Sequence, residues 1–154
     1  MSDDQSTTTE ESESVYDSIM KTLDLAVRKL RVEMVNHLAA EMYTIAKDHG
    51  FHDEEHMSGG VGVGADSVDR MGKYVANLHG EVSELWEAAR EGNLGGHCKK
   101  WEQGCELTCA EEELADIVIR AMDTAVGLGI DLGSAILKKS DFNRTRPHMH
   151  GKKA

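Results

Sequence analysis

The fold of this chain is decided by two stretches: residues 78–87, LHGEVSELWE, and residues 111–118, EEELADIV. In each stretch the apolar residues recur at spacings of three and four, which predicts an α-helix with one apolar face. Each stretch also carries an acidic pair spaced i,i+3, so that both carboxylates of the pair project from one side of the helix. The two pairs are Glu81 with Glu84, and Glu113 with Asp116.

Apolar residues extend the first stretch into a longer helix. We expect this helix to be capped by Asp66 or Ser67 and to end near Gly92. Its predicted core stripe comprises Val68, Met71, Val75, Leu78, Val82, Leu85 and Ala89. Trp86 follows this stripe and is predicted to lie in the core, although an indole can also stack on a base.

The second stretch belongs to a helix that begins after Thr108. Thr108 and Glu111 form the pattern of a capping box, and Gly127 and Gly129 mark the end of the helix. The residues predicted to be buried are Leu114, Ile117, Val118, Ala121, Ala125 and Leu128. If the two helices pack along their apolar stripes, the four acids meet at the seam between them.

Two further helical segments flank this pair. From Val15 to about Gly50 the apolar periodicity predicts one long helix, or two with a bend, and Asp131 begins a shorter helix that reaches about Phe142. Residues 52–66 and 93–107 are predicted loops. The expected fold class is therefore all-α, an antiparallel bundle of four to five helices, oligomeric because the first helix is long for so small a body.

The composition indicates one helical domain over residues 14–154 with a basic C-terminal tail, preceded by an acidic segment, residues 1–13. That segment is rich in Ser, Thr, Asp and Glu, and we expect it to be disordered. No apolar run approaches the ~20 residues of a membrane span. The three cysteines and the polar N-terminus, which does not resemble a signal peptide, favour reduced thiols and a cytoplasmic location.

The formal net charge of −11 is unevenly distributed. Residues 1–13 are strongly acidic, whereas residues 138–154 carry six bases and a single acid. A chain of this kind lacks the broad basic surface that nucleic acid requires. A small basic tail beside a carboxylate-rich body suits a small polyphosphate with its metal, although a solvated acidic surface that maintains solubility is an equally simple interpretation.

Four facing carboxylates would form an oxygen-rich site suited to Mg²⁺ or Mn²⁺. The simpler alternative is that acids spaced i,i+3 lie on an exposed helix face. A di-iron site is disfavoured, because such sites usually need Glu-x-x-His on two helices and no histidine lies in register here. Arg120, one turn after Asp116, is placed to pair either with these acids or with a substrate.

The order Glu-x-x-Glu, spacer, Glu-x-x-Asp resembles the signature of the all-α nucleoside triphosphate pyrophosphohydrolases, the MazG-like family. The resemblance covers roughly residues 41–153. It includes residues 46–51 (AKDHGF), residues 112–120 (EELADIVIR), and a C-terminal segment with Asp131-Leu132, Ile136, Lys139, Asn143, Arg146-Pro147 and His150-Gly151-Lys152-Lys153.

The resemblance implies a fold, an activity and a set of site residues. Glu81, Glu84, Glu113 and Asp116 would bind Mg²⁺ and form the catalytic centre, and the substrate-binding residues would be Lys139, Asn143, Arg146 and Lys152. The implied activity cleaves a nucleoside triphosphate between its α and β phosphates, and the expected assembly is a homodimer or homotetramer. The alternative is a catalytically idle helical protein that binds a nucleotide or a partner protein as a regulator.

Two weaker signals lie in the predicted loops. The glycine-rich stretch Gly60–Gly64 lacks the preceding strand and the Gly-Lys-Ser/Thr ending of a phosphate-binding loop, so a flexible loop is favoured. The other signal is a possible zinc cluster in and beside the second loop, which is disfavoured because Cys-x-x-Cys spacing is missing. Its residues are His97, Cys98, Cys105 and Cys109.

Overall fold

The computed structural model describes residues 4–52 and 65–147, and the side chains of residues 15–52, 68 and 70–147. Over these residues the chain is all-α and contains no β-strand, which confirms the predicted fold class. The helices are α1 (Asp4–Asp48), α2 (Ala65–Arg90), α3 (Cys109–Gly127) and α4 (Leu132–Arg144), with a short 3₁₀ turn at Trp101–Gln103.

The chain divides into two compact units. Unit one comprises Met1–Asn36 and Gly133–Ala154, and unit two comprises His37–Leu132. The sequence predicts a single domain over residues 14–154, whereas α1 contributes residues to both units of the structure.

Unit one contains the larger part of α1 together with α4. The backbone N–H of Gly133 donates a hydrogen bond to Asn36 Oδ1 at 2.8 Å, and a side chain at Gly133 would collide with the backbone of Val32. Glycine is therefore required where α4 begins against α1. Farther along the same helices, the Arg28 guanidinium forms a salt bridge with Asp141, whose pKa it lowers chiefly through this hydrogen bond.

The C-terminal ends of the helices follow the glycine signals, whereas the starts of α1 and α2 do not follow the polar signals of the sequence. Gly50, Gly92 and Gly129 have φ of 82°, 68° and 67°, the left-handed conformation that ends a helix. However, α1 begins at Asp4, within the segment expected to be disordered, and α2 begins at Ala65, before its predicted caps. Adding a residue to an existing helix costs far less than nucleating one, which favours such extensions.

In unit two, α2 and α3 pack against each other in antiparallel orientation. Tyr74, near the start of α2, lies so close to Gly127, at the end of α3, that any side chain at Gly127 would collide with its hydroxyl. Nearby, His52 Nε2 lies 2.7 Å from Asp123 Oδ1, and both residues are buried. The His52 ring also stacks on Tyr43 at 4.4 Å between centroids, which fixes the end of α1 in this unit.

The predicted burial of the apolar stripes is wrong for much of α2 and α3. Val82, Leu114 and Val118 are 46%, 52% and 49% exposed, and Trp86, predicted to lie in the core, is 65% exposed. Other exposed members of the predicted stripes are Val68, Met71, Val75 and Ala121. Helices α2 and α3 meet along their acidic flanks, so their apolar stripes are exposed to solvent in the isolated chain. Over the described residues, no helix combines the length and the hydropathy that a membrane crossing requires.

The start of α3 agrees with the sequence prediction. The Thr108 hydroxyl accepts a hydrogen bond from the Glu111 backbone N–H, and the Glu111 carboxylate accepts one from the Thr108 backbone N–H at 2.8 Å. The hydrogen bonds that the Thr108 backbone N–H and hydroxyl donate to the carboxylate lower the pKa of Glu111. This capping box satisfies two backbone donors at the helix start and fixes the rotational position of the acids that follow.

Candidate metal centre

Three of the four predicted metal ligands meet at the interface between α2 and α3. Glu81 on α2 and both Glu113 and Asp116 on α3 each offer a carboxylate oxygen, and these atoms lie within 4.8 Å of one another. We call these three residues the carboxylate cluster. They come together because the helices pack along the flank that bears the i,i+3 pairs rather than along the apolar stripes.

The fourth predicted ligand, Glu84, lies at the rim of this cluster. Its carboxylate is 3.3 Å from the ammonium of Lys99, which extends from the loop between α2 and α3, and its side chain is about half exposed. Glu84 still lies close enough to Glu113 for its charge to help raise the Glu113 pKa. The structure therefore brings Glu81, Glu113 and Asp116 together and leaves Glu84 beside them.

The carboxylate cluster concentrates negative charge at a position that is partly shielded from solvent. Burial, followed by the charges of neighbouring acids such as Glu84, raises the pKa of Glu113, which is only 6% exposed. Burial and the charge of Glu81 raise the pKa of Asp116, and Lys100 and Arg120 offset part of this effect. Among the residues that the structure describes, neither Glu113 nor Asp116 forms an ion pair.

Arg120 supplies the positive charge closest to Glu81. Its Nε donates a hydrogen bond to Glu81 Oε1 at 2.9 Å, and its guanidinium carbon lies 5.2 Å from the centre of the Phe51 ring. Of the two roles open to Arg120 in the sequence, the structure shows pairing with the acids. The contact orients the Glu81 carboxylate and neutralises one of the three charges.

The donor set fits a hard divalent cation. Burying an ionised carboxylate without a partner costs several kcal/mol, so a cluster with two unpaired acids is stabilised either by protonation or by a cation. All the available donors are carboxylate oxygens, which Mg²⁺ and Mn²⁺ prefer over softer metals.

A cavity of about 120 Å³ lies beside Glu113 in unit two. Its acidic lining residues are Glu84, Glu87, Glu91, Glu112 and Glu113, and Lys99 and His97 come from the loop. Sequence reasoning missed Glu87, Glu91 and Glu112. The i, i+3, i+7 spacing of Glu84, Glu87 and Glu91 was a usable signal for the first two, since it places them on one face of α2.

No protein-family model, curated protein or solved structure matches this chain. The likeness to the MazG-like family therefore rests on the acidic pairs and the C-terminal segment of the sequence alone.

A second group of possible ligands lies where the loop between α2 and α3 meets the start of α3. Cys98, Cys105 and Glu112 each offer an atom within 4.8 Å of the others, and we call them the sulfur cluster. The pKa of the Cys105 thiol is raised, first by its hydrogen bond with Cys98 and then by burial. The two remaining members of the zinc set that the sequence disfavours, His97 and Cys109, lie outside this group.

His97 and Cys109 are held by other contacts. The His97 ring stacks on Trp101 with 3.6 Å between centroids and an interplanar angle of 6°. The Cys109 thiol donates to the His97 carbonyl oxygen at 3.2 Å. The four-residue zinc set, which the sequence disfavours, is thus not assembled: the fold of the loop gathers two of its cysteines with Glu112, which sequence spacing did not reveal.

The predicted phosphate-binding residues belong to unit one. Lys139 and Asn143 lie one turn apart on α4, and Arg146 follows the helix. The charged groups of Lys139 and Arg146 lie 4.9 and 5.9 Å from the centre of the Phe142 ring, an exposed aromatic surface. Lys152 and the glycine-rich stretch Gly60–Gly64 fall outside the described residues.

Proposed function

We propose that this protein is a Mg²⁺-dependent nucleoside triphosphate pyrophosphohydrolase of the MazG-like type. Its substrate would be a ribo- or deoxynucleoside triphosphate, cleaved between the α and β phosphates to a monophosphate and pyrophosphate. The cellular role would be cleaning or control of the nucleotide pool in a reducing compartment such as the cytoplasm.

The observation that carries the proposal is the carboxylate cluster. Glu113 is buried and forms no ion pair within the described part of the chain, and its oxygen lies within 4.8 Å of those of Glu81 and Asp116. An arrangement that only maintained solubility would leave these acids exposed. The motif order Glu-x-x-Glu and Glu-x-x-Asp adds the resemblance to the family, which points to a triphosphate as the ligand that accompanies the metal.

Bound Mg²⁺ supplies Lewis acidity that acidifies a water and neutralises charge on the transferred phosphate. The chain supplies the oxygen donors of Glu113 and Asp116, and Arg120 holds the carboxylate of Glu81 in place. Glu84 at the rim is half exposed and balanced by the exposed ammonium of Lys99, so it can turn toward the cation or accept a proton from water. Four carboxylates are therefore available for two tasks, binding the metal and proton transfer.

The phosphate-binding part of the proposal concerns Lys139, Asn143, Arg146 and Lys152. Lysine and arginine provide point charges and a planar fork that suit phosphate oxygens, and Asn143 adds an amide donor. If these residues bind the triphosphate, Arg146→Ala raises KM for the nucleotide and leaves the affinity for Mg²⁺ alone unchanged.

A panel of ribo- and deoxynucleoside triphosphates with Mg²⁺ tests the proposal, scored for monophosphate plus pyrophosphate against diphosphate plus phosphate. We expect the first pair of products from the wild-type chain and from a Glu106→Gln control, which changes an exposed acid of the same unit. Release of single phosphates would refute the proposed bond cleavage.

The same panel separates the enzyme from the alternative, a catalytically idle regulator. The exposed apolar stripes of α2 and α3 favour a binding role, because large unpartnered apolar surfaces mark interaction sites. Nucleotide binding in calorimetry, with no turnover of any triphosphate, would support the regulator and reject the enzyme.

We further propose that a second copy of the chain covers these stripes in a homodimer or homotetramer. Val68, Val75, Val82 and Trp86 are exposed along one side of α2, and Leu114 and Val118 along one side of α3. Light scattering after size exclusion should give a multiple of the 16.9 kDa chain mass. Trp86→Ser should shift the mass toward the monomer, whereas a monomeric wild-type chain would reject the assembly.

A further inference from the structure

We propose that Cys98, Cys105 and Glu112 bind a zinc ion that connects the loop between α2 and α3 to the start of α3. This site is separate from the carboxylate cluster and does not depend on the proposed function. It uses the sulfur cluster, whose three donor atoms come from residues spaced evenly along the sequence and lie within 4.8 Å of one another.

The distances are close to those of a tetrahedral zinc site. Zinc bonds to sulfur at about 2.3 Å, so two sulfur ligands at a tetrahedral angle lie about 3.8 Å apart. The donor atoms lie within 4.8 Å of one another, so their separations exceed this value by at most about 1 Å. Three protein ligands leave the fourth position to water, as in many zinc sites.

Glu112 supplies an independent reason to place a cation here. Its side chain is only 8% exposed, and its Oε1 has no hydrogen-bond partner among the described residues. Lys100 Nζ lies 3.0 Å from this oxygen and forms an ion pair with it. Among the described residues, the buried oxygen is thus compensated by one lysine, whose side chain is 60% exposed.

The charges balance when zinc is bound. Both thiols lose their protons to solvent, so two thiolates and one carboxylate surround a cation of charge +2, and the ammonium of Lys100 neutralises the remaining negative charge. Sulfur donors favour zinc over Mg²⁺, and the all-oxygen carboxylate cluster has the opposite preference. Each cluster therefore selects its own metal.

Cys109 provides a matched control. It is buried at the same junction of loop and helix, but its thiol donates to the His97 carbonyl and lies outside the sulfur cluster. The full chain, stripped of metal under reducing conditions, is titrated with zinc and with cobalt(II). We expect one zinc per chain and a thiolate-to-cobalt charge-transfer band in the wild type and in Cys109→Ser.

Cys98→Ser, Cys105→Ser and Glu112→Gln should each bind zinc at least about 100-fold more weakly, because losing a residue that merely supports a ligand already costs roughly 10–100-fold. Glu113→Gln should bind zinc like the wild type. Unchanged zinc affinity in both cysteine variants, or loss of zinc in Cys109→Ser or Glu113→Gln, would overturn the site.

Alkylation of the wild-type chain keeps the proposal testable if a variant fails to fold. Zinc should protect Cys98 and Cys105 from iodoacetamide and leave the reactivity of Cys109 unchanged, as read by peptide mass. Failure of the reduced protein to bind zinc, with a Cys98–Cys105 disulfide forming in air, would overturn the metal site and show a redox pair in its place.

Discussion

Glu112 and Glu113 are neighbours in the chain, yet they belong to two different groups of ligands. Glu113 joins Glu81 and Asp116 in a cluster of oxygen donors, whereas Glu112 joins Cys98 and Cys105 in a cluster dominated by sulfur. Successive residues of a helix point about 100° apart, so α3 presents one acid to α2 and the next acid to the loop. The residues that face each acid, rather than the acid itself, would therefore determine which cation is favoured.

The largest expected effect is the loss of turnover when the carboxylate cluster is changed. Glu113→Gln and Asp116→Asn should each lower Mg²⁺-dependent kcat/KM by at least about 100-fold, since a direct ligand matters more than its supporting residues. Cys98→Ser should retain most of the activity because Cys98 is not a member of the carboxylate cluster. Initial rates of pyrophosphate release measure kcat/KM for each variant. A fully active Glu113→Gln variant would reject the metal assignment.

The next effect concerns the counter-charge of the oxygen cluster. Arg120→Ala removes the partner of Glu81 and should lower the free energy of unfolding by about 2 kcal/mol, the value of a hydrogen bond to a charged group. The melting temperature without metal should fall by about 4–8 °C, and Mg²⁺ should recover more stability than in the wild type.

Arg90→Ala, at the exposed end of α2, is the control for Arg120→Ala and should change both quantities little. If Arg120→Ala matched this control in a thermal-shift assay with and without Mg²⁺, Arg120 would have no electrostatic role in the cluster.

A smaller effect, of opposite sign, is expected for Glu113→Gln in the absence of metal. Its amide can donate to the remaining carboxylates, so the substitution should raise the free energy of unfolding by about 1–2 kcal/mol. In the wild type the raised pKa of Glu113 means that the folded chain binds more protons than the unfolded chain. Stability should therefore fall as the pH rises from the ordinary carboxylate pKa through the raised value.

Glu113→Gln should weaken the dependence of stability on pH, which urea unfolding at several pH values would measure. Glu106→Gln is the exposed control. If stability depended equally steeply on pH in Glu113→Gln and in Glu106→Gln, the charges around the Glu113 carboxylate would not destabilise the folded chain.

The smallest effect tests the element that both clusters share. Thr108→Ala removes the cap of α3 and should cost about 1 kcal/mol, whereas Thr108→Ser should cost less because it keeps the hydroxyl. Since Glu112 and Glu113 both follow this cap, the affinities for zinc and for Mg²⁺ should decline together. Calorimetric titration with each metal measures the two affinities. A decline in only one of them would contradict a shared dependence of the two clusters on this cap.

Local signals in the sequence predicted the parts of the fold that depend on local chemistry. The capping box of Thr108 and Glu111 and the glycine that follows α3 need only their own neighbours, and both are confirmed. Burial of Leu114 and Val118 was predicted from periodicity and is wrong in the isolated chain. Periodicity identifies an apolar face but does not state what covers it.

The candidate site shows the same division. The i,i+3 spacing correctly grouped Glu113 with Asp116, and the antiparallel contact of two helices brought in Glu81. The separation of Glu84 from the cluster and the burial of Glu112 depend on contacts with residues of the loop, Lys99 and Lys100 among them. Those contacts join residues distant in the chain through an irregular segment, for which no spacing rule exists.

The capped start of α3 has a consequence for changes in length. Removing one residue between Thr108 and Glu112 would rotate the rest of the helix by about 100°, moving Glu113 into the place of Glu112 and turning Asp116 away from α2. One deletion would then dismantle both clusters while leaving the composition of the helix almost unaltered. This short segment should accept many substitutions in sequence libraries but no insertion or deletion.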